Sequence, residues 1–173
     1  MTPKLKPFVT ADRLPSASTV TPATILGSRA AHNDARWTDL CAALAALHER
    51  GRHSVRIVDA DCACGTLLIE AVRHARALGF TAIEGRGIDG SPAMIGRARA
   101  AVARLHEPAI GLTFEVADMI KALASEADFP ADIVLWHGGR AEDDRPGVRA
   151  SLAKAGDIIL DDNHFASDRA RAA

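Results

Sequence analysis

Apolar positions in this chain follow two alternating spacings. Short β-branched and aliphatic runs, typical of strands, are separated by stretches whose apolar residues recur every three or four positions, as in amphipathic helices. The predicted strands are residues 55–59, a segment ending at residue 89, and residues 112–116, 133–136 and 157–160. Because helices and strands alternate, we expect right-handed crossovers and a parallel sheet that helices cover on both faces.

The helix signals between these strands are equally regular. Ser91 and Pro92 supply a hydroxyl N-cap followed by proline at the first helical position, where its missing N–H costs nothing. The predicted helices are residues 28–50, ended by Gly51, then 66–78, 91–105 and 119–124, and a last one opened by Pro146 and closed by Gly156.

The first residues have a different composition. Four of the eight prolines lie within residues 1–24, among serines and threonines. This composition is typical of an extended segment. We therefore predict an N-terminal arm over residues 1–27, either frayed or closing over a site, and a single domain over residues 28–173, since 173 residues suit one domain with a real core.

Charge and composition exclude several classes of protein. The net charge of −1 is unlike that of a dedicated nucleic-acid binder, and no apolar run approaches the length of a membrane span. The first eight residues lack the apolar region of a secretion signal, so we expect a cytoplasmic protein. Cys41, Cys62 and Cys64 do not suggest a disulfide framework, and without paired ligands we expect reduced thiols and no metal.

Polar residues follow the predicted strands at their carboxyl ends. Ligands in parallel α/β sheets bind beyond these ends, near the point where the strand order reverses. We therefore expect one shared cleft lined by Asp59, Asp61, Asp89, Asp118, His137, Asp161 and Asp162.

The loop after the first strand carries the most informative motif. Residues 59–66 read Asp-Ala-Asp-Cys-Ala-Cys-Gly-Thr and open a helix, whose N–H groups would face a ligand. This segment resembles the acid-x-Gly-x-Gly-x-Gly motif of class I S-adenosylmethionine-dependent methyltransferases. The resemblance implies a Rossmann-like three-layer αβα sandwich. It also implies that Asp59 holds the cofactor's ammonium group and that the loop cradles its amino-acid end through Asp61, Cys62, Ala63 and Gly65.

Three further segments are similar to motifs of that family. Residues 87–94, Gly-Ile-Asp-Gly-Ser-Pro-Ala-Met, resemble its ribose-binding segment, which implies that Asp89, beside Gly90, accepts hydrogen bonds from both ribose hydroxyls. Residues 115–119 resemble the segment that binds adenine, with Asp118 on the amine and Met119 against the ring. Residues 131–136, ending at Trp136, resemble the strand that leads to the methyl-transfer site.

The resemblance implies methyl transfer from S-adenosylmethionine to an acceptor, for which we expect a small molecule. His137 follows the fourth strand and is the candidate general base, or else a solvated or capping residue. Asp161-Asp162-Asn163-His164 follows the fifth strand. That cluster would hold a metal as in catechol-type members of the family, or form a solvated strand exit, which is the commoner case.

The chain also departs from the family pattern. Asp61 and Ala63 replace two glycines, and the long interval between Asp59 and Asp89 predicts an extended turn around residues 80–86. The stretch after residue 160 is too short for the family's usual last two strands. It would leave the fifth strand with an open edge, which a second copy or another chain would cover.

Two other functions compete with methyl transfer. The altered loop and short C-terminal stretch favour a non-catalytic binding or assembly module that keeps the fold. A nicotinamide dehydrogenase would need a GxGxxG fingerprint after the first strand, and residues 61–65 supply a single glycine.

Overall fold

The computed structural model describes residues 28–138 and 147–162. The predicted arm over residues 1–27, together with Pro146, Asn163 and His164, lies outside the described residues, so the predictions made there stay predictions. The helices are α1 (Ser28–His32), α2 (Trp37–Glu49), α3 (Thr66–Leu78), α4 (Pro92–Val102), α5 (Met119–Glu126) and α6 (Val148–Ala155). The strands are β1 (Ser54–Ala60), β2 (Ala82–Asp89), β3 (Ile110–Val116), β4 (Ala131–Trp136) and β5 (Gly156–Asp161).

The five strands form one sheet in the order β3-β2-β1-β4-β5, and all neighbouring pairs are parallel. The predicted parallel α/β architecture is therefore confirmed. The chain winds outward from β1 to β3 and then returns to β4 on the other side of β1. The order thus reverses beside β1, and a ligand is expected at the carboxyl end of this strand.

Side chains of the central strands divide between two hydrophobic layers. Ile57 and Ile133 face a cluster that contains the buried residues of α2 and α3, whereas Val58 and Val134 face a cluster that contains those of α5 and α6. This alternation is the two-residue period of a strand buried on both faces. Helices therefore cover both faces of the sheet, which gives the three layers expected from the sequence.

The predicted single helix over residues 28–50 is wrong, because the chain forms two helices with a linker at residues 33–36. Asp34 interrupts the helix: its Oδ1 accepts a hydrogen bond from the backbone N–H of Arg36 at 3.0 Å. Its carbonyl accepts another from the N–H of Trp37. A short acidic side chain that bonds its own backbone in this way competes with continuous helix.

The predicted extended turn around residues 80–86 is also wrong, because β2 begins at Ala82 and pairs with β1 from Ala82 to Ile88. Gly85 and Gly87, within this strand, make room for side chains of β3. A Cβ at Gly85 would lie 2.5 Å from Leu112 Cδ2, and one at Gly87 would lie 2.4 Å from Phe114 Cδ1. Close packing, not chain reversal, explains these glycines.

A buried ion cluster holds α5 against the sheet. Glu126, in the last turn of α5, is 1% exposed and pairs with Arg56 of β1 and Arg86 of β2. Arg86 also pairs with Glu115 of β3. Charges at the C-terminal end of α5 therefore hold the helix against the sheet. They also help to position its N-terminus, which lies at the carboxyl edge of the sheet.

Two further features of the described part are the edge of its sheet and the length of its helices. Within the described ranges, β5 pairs with β4 alone and forms one edge of the sheet. No helix of the described part is long and apolar enough to cross a membrane.

Candidate functional site

The acidic residues at the ends of the first three strands lie along one edge of the sheet. Asp59 of β1 is paired in register with Gly87 of β2, and Asp89 of β2 with Val116 of β3, two residues before Asp118. Asp59 and Asp89 are buried, whereas Asp118 is exposed. The sheet therefore brings the three acids to the same edge.

The loop after β1 keeps a left-handed backbone at three positions. Gly65 has φ +72°, and two residues that are not glycine, Asp61 and Ala63, have φ +74° and +49°. For such residues this conformation costs roughly 1–2 kcal/mol each. The N–H groups of Asp61 and Cys62 both donate to the carbonyl of Ile88 at 2.8 Å, which holds the loop down across the end of β2.

The thiols of this loop differ in environment. Cys62 is buried, and its burial raises the pKa of the thiol well above the ordinary value, reinforced by the charges of Asp59 and Asp89. Cys64 is half-buried, with its Sγ 3.2 Å from the hydroxyl of Thr66. Both are free thiols, as is Cys41. Cys62 is therefore a small packing residue rather than a nucleophile.

The carboxylate of Asp89 connects the loop to the start of α4. Its Oδ2 accepts a hydrogen bond from the N–H of Ala63 at 2.9 Å, and its Oδ1 accepts one from the N–H of Ser91 at 2.7 Å. Ser91 Oγ in turn caps α4 by accepting from the N–H of Met94. Because each carboxylate oxygen has two acceptor positions, Asp89 keeps acceptor capacity on both oxygens. Gly90 beside it is exposed.

The part of the carboxyl edge that follows β3 is exposed to solvent. Asp118 is exposed and caps α5 by accepting from the N–H of Lys121 at 3.1 Å. Met119 is half-buried against the hydrophobic cluster of α5 and α6. Trp136 belongs to that cluster and is only 3% exposed, and its indole N–H has no hydrogen-bond partner among the described residues. Trp136 therefore packs in the core beneath the edge of the sheet and contributes little to the surface of that edge.

Asp59 is the most deeply buried acid of the site. Its side chain is 1% exposed, and Oδ1 accepts no hydrogen bond within the described residues. Burial raises the pKa of this carboxyl to about 6, even though Arg36 and His137 oppose the shift. A carboxylate in this position favours a cationic or hydrogen-bond-donating partner.

Arg36, from the linker between α1 and α2, faces Asp59 and is 2% exposed. Its Nε and Nη2 donate to the two carboxylate oxygens of Asp34, each at 2.9 Å, and Nη2 also lies 3.0 Å from His137 Nε2. Its Nη1 lies 3.8 Å from Asp59 Oδ1 and has no hydrogen-bond partner in the described part of the chain. Burial favours the neutral form, but Asp34 and Asp59 outweigh it and keep the pKa of Arg36 raised.

The ring of His137 bridges Arg36 and Asp162. Its Nδ1 lies 3.0 Å from Asp162 Oδ2, and the N–H of Gly138 donates to Asp162 Oδ1 at 2.7 Å. Burial favours the neutral acid, but these contacts outweigh it and hold the pKa of Asp162 below its ordinary value. Because a guanidinium only donates, Nε2 must accept from Arg36. The lone pair that a general base needs is therefore already engaged.

Arg36, Asp59 and His137 line a cavity of about 110 Å³. Ala30 and Ala31 of α1 and Thr66 of α3 line it as well. Arg36 and Asp59 each present a polar atom without a hydrogen-bond partner in the described residues. The cavity therefore offers a donor and an acceptor of opposite charge to a small polar group.

Comparisons with known proteins identify the fold. No family model matches the chain, and no curated protein matches its sequence. A structure of monomeric WbdD aligns with a TM-score of 0.56 at 17% identity, covering 73% of this chain and 30% of that one. A second structure, of the bifunctional kinase-methyltransferase WbdD, aligns with a TM-score of 0.53 at 18% identity, covering 74% and 28%. The chain has the Rossmann-like fold of class I methyltransferases.

A lower-scoring neighbour is magnesium protoporphyrin IX methyltransferase from Synechocystis PCC 6803, solved with bound SAM. It aligns with a TM-score of 0.49 at 18% identity, covering 77% of this chain and 60% of that one. The chain thus spans between 28% and 60% of the length of these three methyltransferase structures.

Sequence reasoning about this methyltransferase fold missed Asp34 and Arg36, because it assigned no site residue before the first strand. The available signal was the polar run at residues 33–36, which interrupts the apolar periodicity with an acid and an arginine close together. Their contacts to Asp59 and His137 join residues far apart in the chain, and no local pattern reports such contacts.

Proposed function

We propose that the chain catalyses methyl transfer from S-adenosylmethionine to a small-molecule acceptor in the cytoplasm. The left-handed backbone at Asp61 and Ala63 is the observation that supports this most. Strain of this kind persists where the surrounding structure imposes it, and it concentrates at ligand sites. The loop keeps a left-handed backbone conformation, which favours glycine, although two glycines of the motif are replaced. The net charge of −1 supports a small acceptor over a nucleic acid.

The amino-acid end of the cofactor would lie in the cavity beside the loop of Asp61, Cys62, Ala63 and Gly65. The buried Oδ1 of Asp59, which accepts no hydrogen bond from the described residues, suits the cofactor's ammonium group. The cavity volume of about 110 Å³ is suited to this end alone. The nucleoside would therefore extend along the open edge of the sheet.

The nucleoside would lie against the ends of β2 and β3. Asp89 has acceptor capacity left on both carboxylate oxygens, which suits two ribose hydroxyls, and the exposed Gly90 leaves room beside it. Asp118 is accessible to an exocyclic amine, and Met119 offers an apolar surface to a ring. Trp136 would support this wall from beneath, through packing.

When bound, S-adenosylmethionine supplies a methyl group on a sulfonium, and the protein's task is to align donor and acceptor and to exclude water. His137 lies at the carboxyl end of β4, on the acceptor side. Its contacts to Arg36 and Asp162 favour a positioning role over the general-base role expected from the sequence. An acceptor that needs no deprotonation fits this arrangement best.

Binding of the cofactor and its product tests the proposal. We expect S-adenosylmethionine and S-adenosylhomocysteine to bind the full chain in calorimetry and to raise its melting temperature. Asp89→Asn should abolish the effect, because it removes the charge that suits the ribose hydroxyls. Asp128→Asn, at an exposed position in the turn after α5, is the matched control. No binding of either ligand at millimolar concentration would instead favour a non-catalytic binding or assembly module.

We also propose that a second copy of the chain covers the edge of β5, which pairs with β4 alone among the described strands, because an unpaired edge strand exposes backbone donors and acceptors. Light scattering coupled to size exclusion should show a dimer at micromolar concentration. A monomer throughout that range contradicts the homodimer and leaves the methyltransferase proposal unaffected.

A further inference from the structure

Three rings pack in a row where α1, α2 and α3 meet. His32 ends α1, Trp37 begins α2, and His74 lies on α3. The ring centroids of His32 and Trp37 are 4.6 Å apart, with the ring planes tilted by 37°. Those of Trp37 and His74 are 5.6 Å apart, with the planes at 62°. Trp37 is therefore held between two imidazoles that come from the two neighbouring helices.

Glu70 of α3 is the acidic group beside this row. Its Oε1 lies 3.6 Å from His32 Nε2, and its Oε2 lies 3.8 Å from Arg73 Nη1. Glu70 precedes His74 by one helical turn, so it stays near His74 whatever the position of α1. Within the described residues, the charges that act on His74 come from Glu70 and His32, and α2 faces it with the uncharged ring of Trp37.

The protonation of His74 depends on the position of α1. Burial lowers the pKa of His74 below its ordinary value, Glu70 opposes this shift, and His32 adds to it. The charge of His32, and the part of the burial that α1 provides, are present only when α1 is docked, whereas Glu70 belongs to the same helix as His74. Protonation of His74 is therefore less favourable when α1 is docked on α3 than when it is displaced.

The position of α1 depends on tertiary contacts. The helix has five residues, too few to be stable in isolation. Ala31 is 1% exposed and belongs to the hydrophobic cluster of α2 and α3, and His32 contacts Glu70 and Trp37. Ala30 and Ala31 also line the cavity of about 110 Å³. A displacement of α1 would therefore open this cavity.

We propose that His32, Trp37 and His74 form a pH-sensitive switch, in which protonation of His74 releases α1 from α3 and opens the cavity that α1 lines. The docked state of α1 binds fewer protons than the open state. Its stability is fully present above the ordinary histidine range, near about pH 6.5, and is lost as pH falls below it. The switch is independent of the proposed function, since displacement of α1 can be measured without a ligand.

Three neighbouring groups respond differently to acid. Protonated His32 pairs more strongly with Glu70, which favours the docked state. Asp59 lines the same cavity and has a raised pKa, so its protonation favours the folded chain. The pKa of Asp34, in the linker after α1, is lowered below 3.8, outside the histidine range. None of these groups would therefore release α1 as pH falls through the histidine range.

Hydrogen exchange of the unmodified full chain tests the switch. Between about pH 7.5 and pH 5.5, protection of the amides of residues 29–37, corrected for the intrinsic exchange rate at each pH, should fall roughly threefold or more. Amides of α3 should keep their protection. Constant protection of residues 29–37 would overturn the proposal, and so would a parallel loss in α3, which would show unfolding of the whole domain.

Substitution of His74 identifies the titrating group. His74→Phe keeps a ring against Trp37 but removes the site of protonation, so protection of residues 29–37 should no longer change over this range. His106→Gln, at an exposed position after α4, is the matched control and should leave the change intact. A fall in protection that survives in His74→Phe would show that another group, such as His137, is responsible and would overturn the proposal.

A second variant covers the case in which His74→Phe does not fold. His74→Gln replaces the ring with a neutral polar side chain, which suits a half-buried position. Protection of residues 29–37 should be lower in this variant at every pH, because the contact with Trp37 is lost, and it should again be independent of pH. A fall in acid as large as that of the unmodified chain would contradict the role of His74.

Discussion

Asp59 Oδ1 and Arg36 Nη1 face each other at 3.8 Å within the carboxyl edge of the sheet, and both side chains are at most 2% exposed. The separation is too long for a hydrogen bond and short enough for strong attraction in a buried setting. The two groups are therefore almost fully desolvated without a direct hydrogen bond between them. Incomplete pairing of two buried charges costs stability.

The first prediction concerns pH. Burial raises the pKa of Asp59 from 3.8 to about 6, so between these values the folded chain binds more protons at this site than the unfolded chain. Stability from this group is therefore present at low pH and lost as pH rises through that interval, by about 3 kcal/mol in total. Asp59→Asn should remove this loss. The measurement is urea unfolding of both proteins between about pH 4 and pH 7.

The free energy of unfolding of Asp59→Asn minus that of the unmodified chain should increase over this range. The pKa values of Asp34 and Asp162 are lowered, so these two groups add to the free energy of unfolding as pH rises. Their effect falls at pH values below this interval. Asp128→Asn, at an exposed site, serves as the control. A difference that stays constant with pH would contradict the raised pKa.

The second prediction concerns strain in the loop. Ala63 has φ +49°, so Ala63→Gly should relieve about 1 kcal/mol of backbone strain, partly offset by the greater freedom of glycine in the unfolded chain. We expect a neutral to slightly raised melting temperature. Ala100→Gly, at an exposed helical position of α4, should instead lose about 1 kcal/mol. Equal destabilisation by the two substitutions would argue against strain at Ala63.

The third prediction concerns Gly65. A Cβ there would lie 2.5 Å from Phe114 Cε1 and 3.2 Å from Ala98 Cβ, on a backbone with φ +72°. Gly65→Ala should therefore destabilise the fold by about 3 kcal/mol, through overpacking and strain together. Gly96→Ala, where a Cβ meets nothing within 4 Å, should stabilise α4 by about 1 kcal/mol. Chemical unfolding of both variants distinguishes crowding at Gly65 from a general effect of alanine.

The fourth prediction concerns the buried ion cluster. Glu126→Gln leaves Arg56 and Arg86 without their shared carboxylate, so we expect a loss of about 3–5 kcal/mol. Glu49→Gln, at an exposed position, should be close to neutral. Thermal and urea unfolding measure the difference. A loss below about 1 kcal/mol, the usual size for a surface pair, would show that solvent reaches the cluster.

The alternation of strands and helices could be predicted from the sequence because each element carries its own local signal. Apolar spacing located the five strands and gave α3 its observed bounds, and Ser91 marked the start of α4 through a hydroxyl that the structure uses as a cap. The long interval between Asp59 and Asp89 misled because an interval does not distinguish an extended turn from a long strand, and β2 occupies Ala82–Asp89. The glycines within this strand are explained by Leu112 and Phe114, which come later in the chain.

Positions at strand ends could be predicted from the sequence, whereas tertiary contacts could not. The ends of β1, β2 and β3 follow from the sheet, so the location of Asp59, Asp89 and Asp118 at its carboxyl edge was predictable. Arginine is rarely buried without a partner. The burial of Arg36 depends on Asp34 and on His137, and His137 lies 101 residues away in the chain.

This long-range contact has a consequence for how the protein forms during synthesis. Residue 36 leaves the ribosome early, whereas residues 137 and 162 emerge only after most of the sheet has been made. Until then the guanidinium has Asp34 and Asp59 but lacks the ring of His137. The cavity should therefore be completed only once β4 has formed, and a nascent chain halted before β4 should lack the fixed orientation of Arg36.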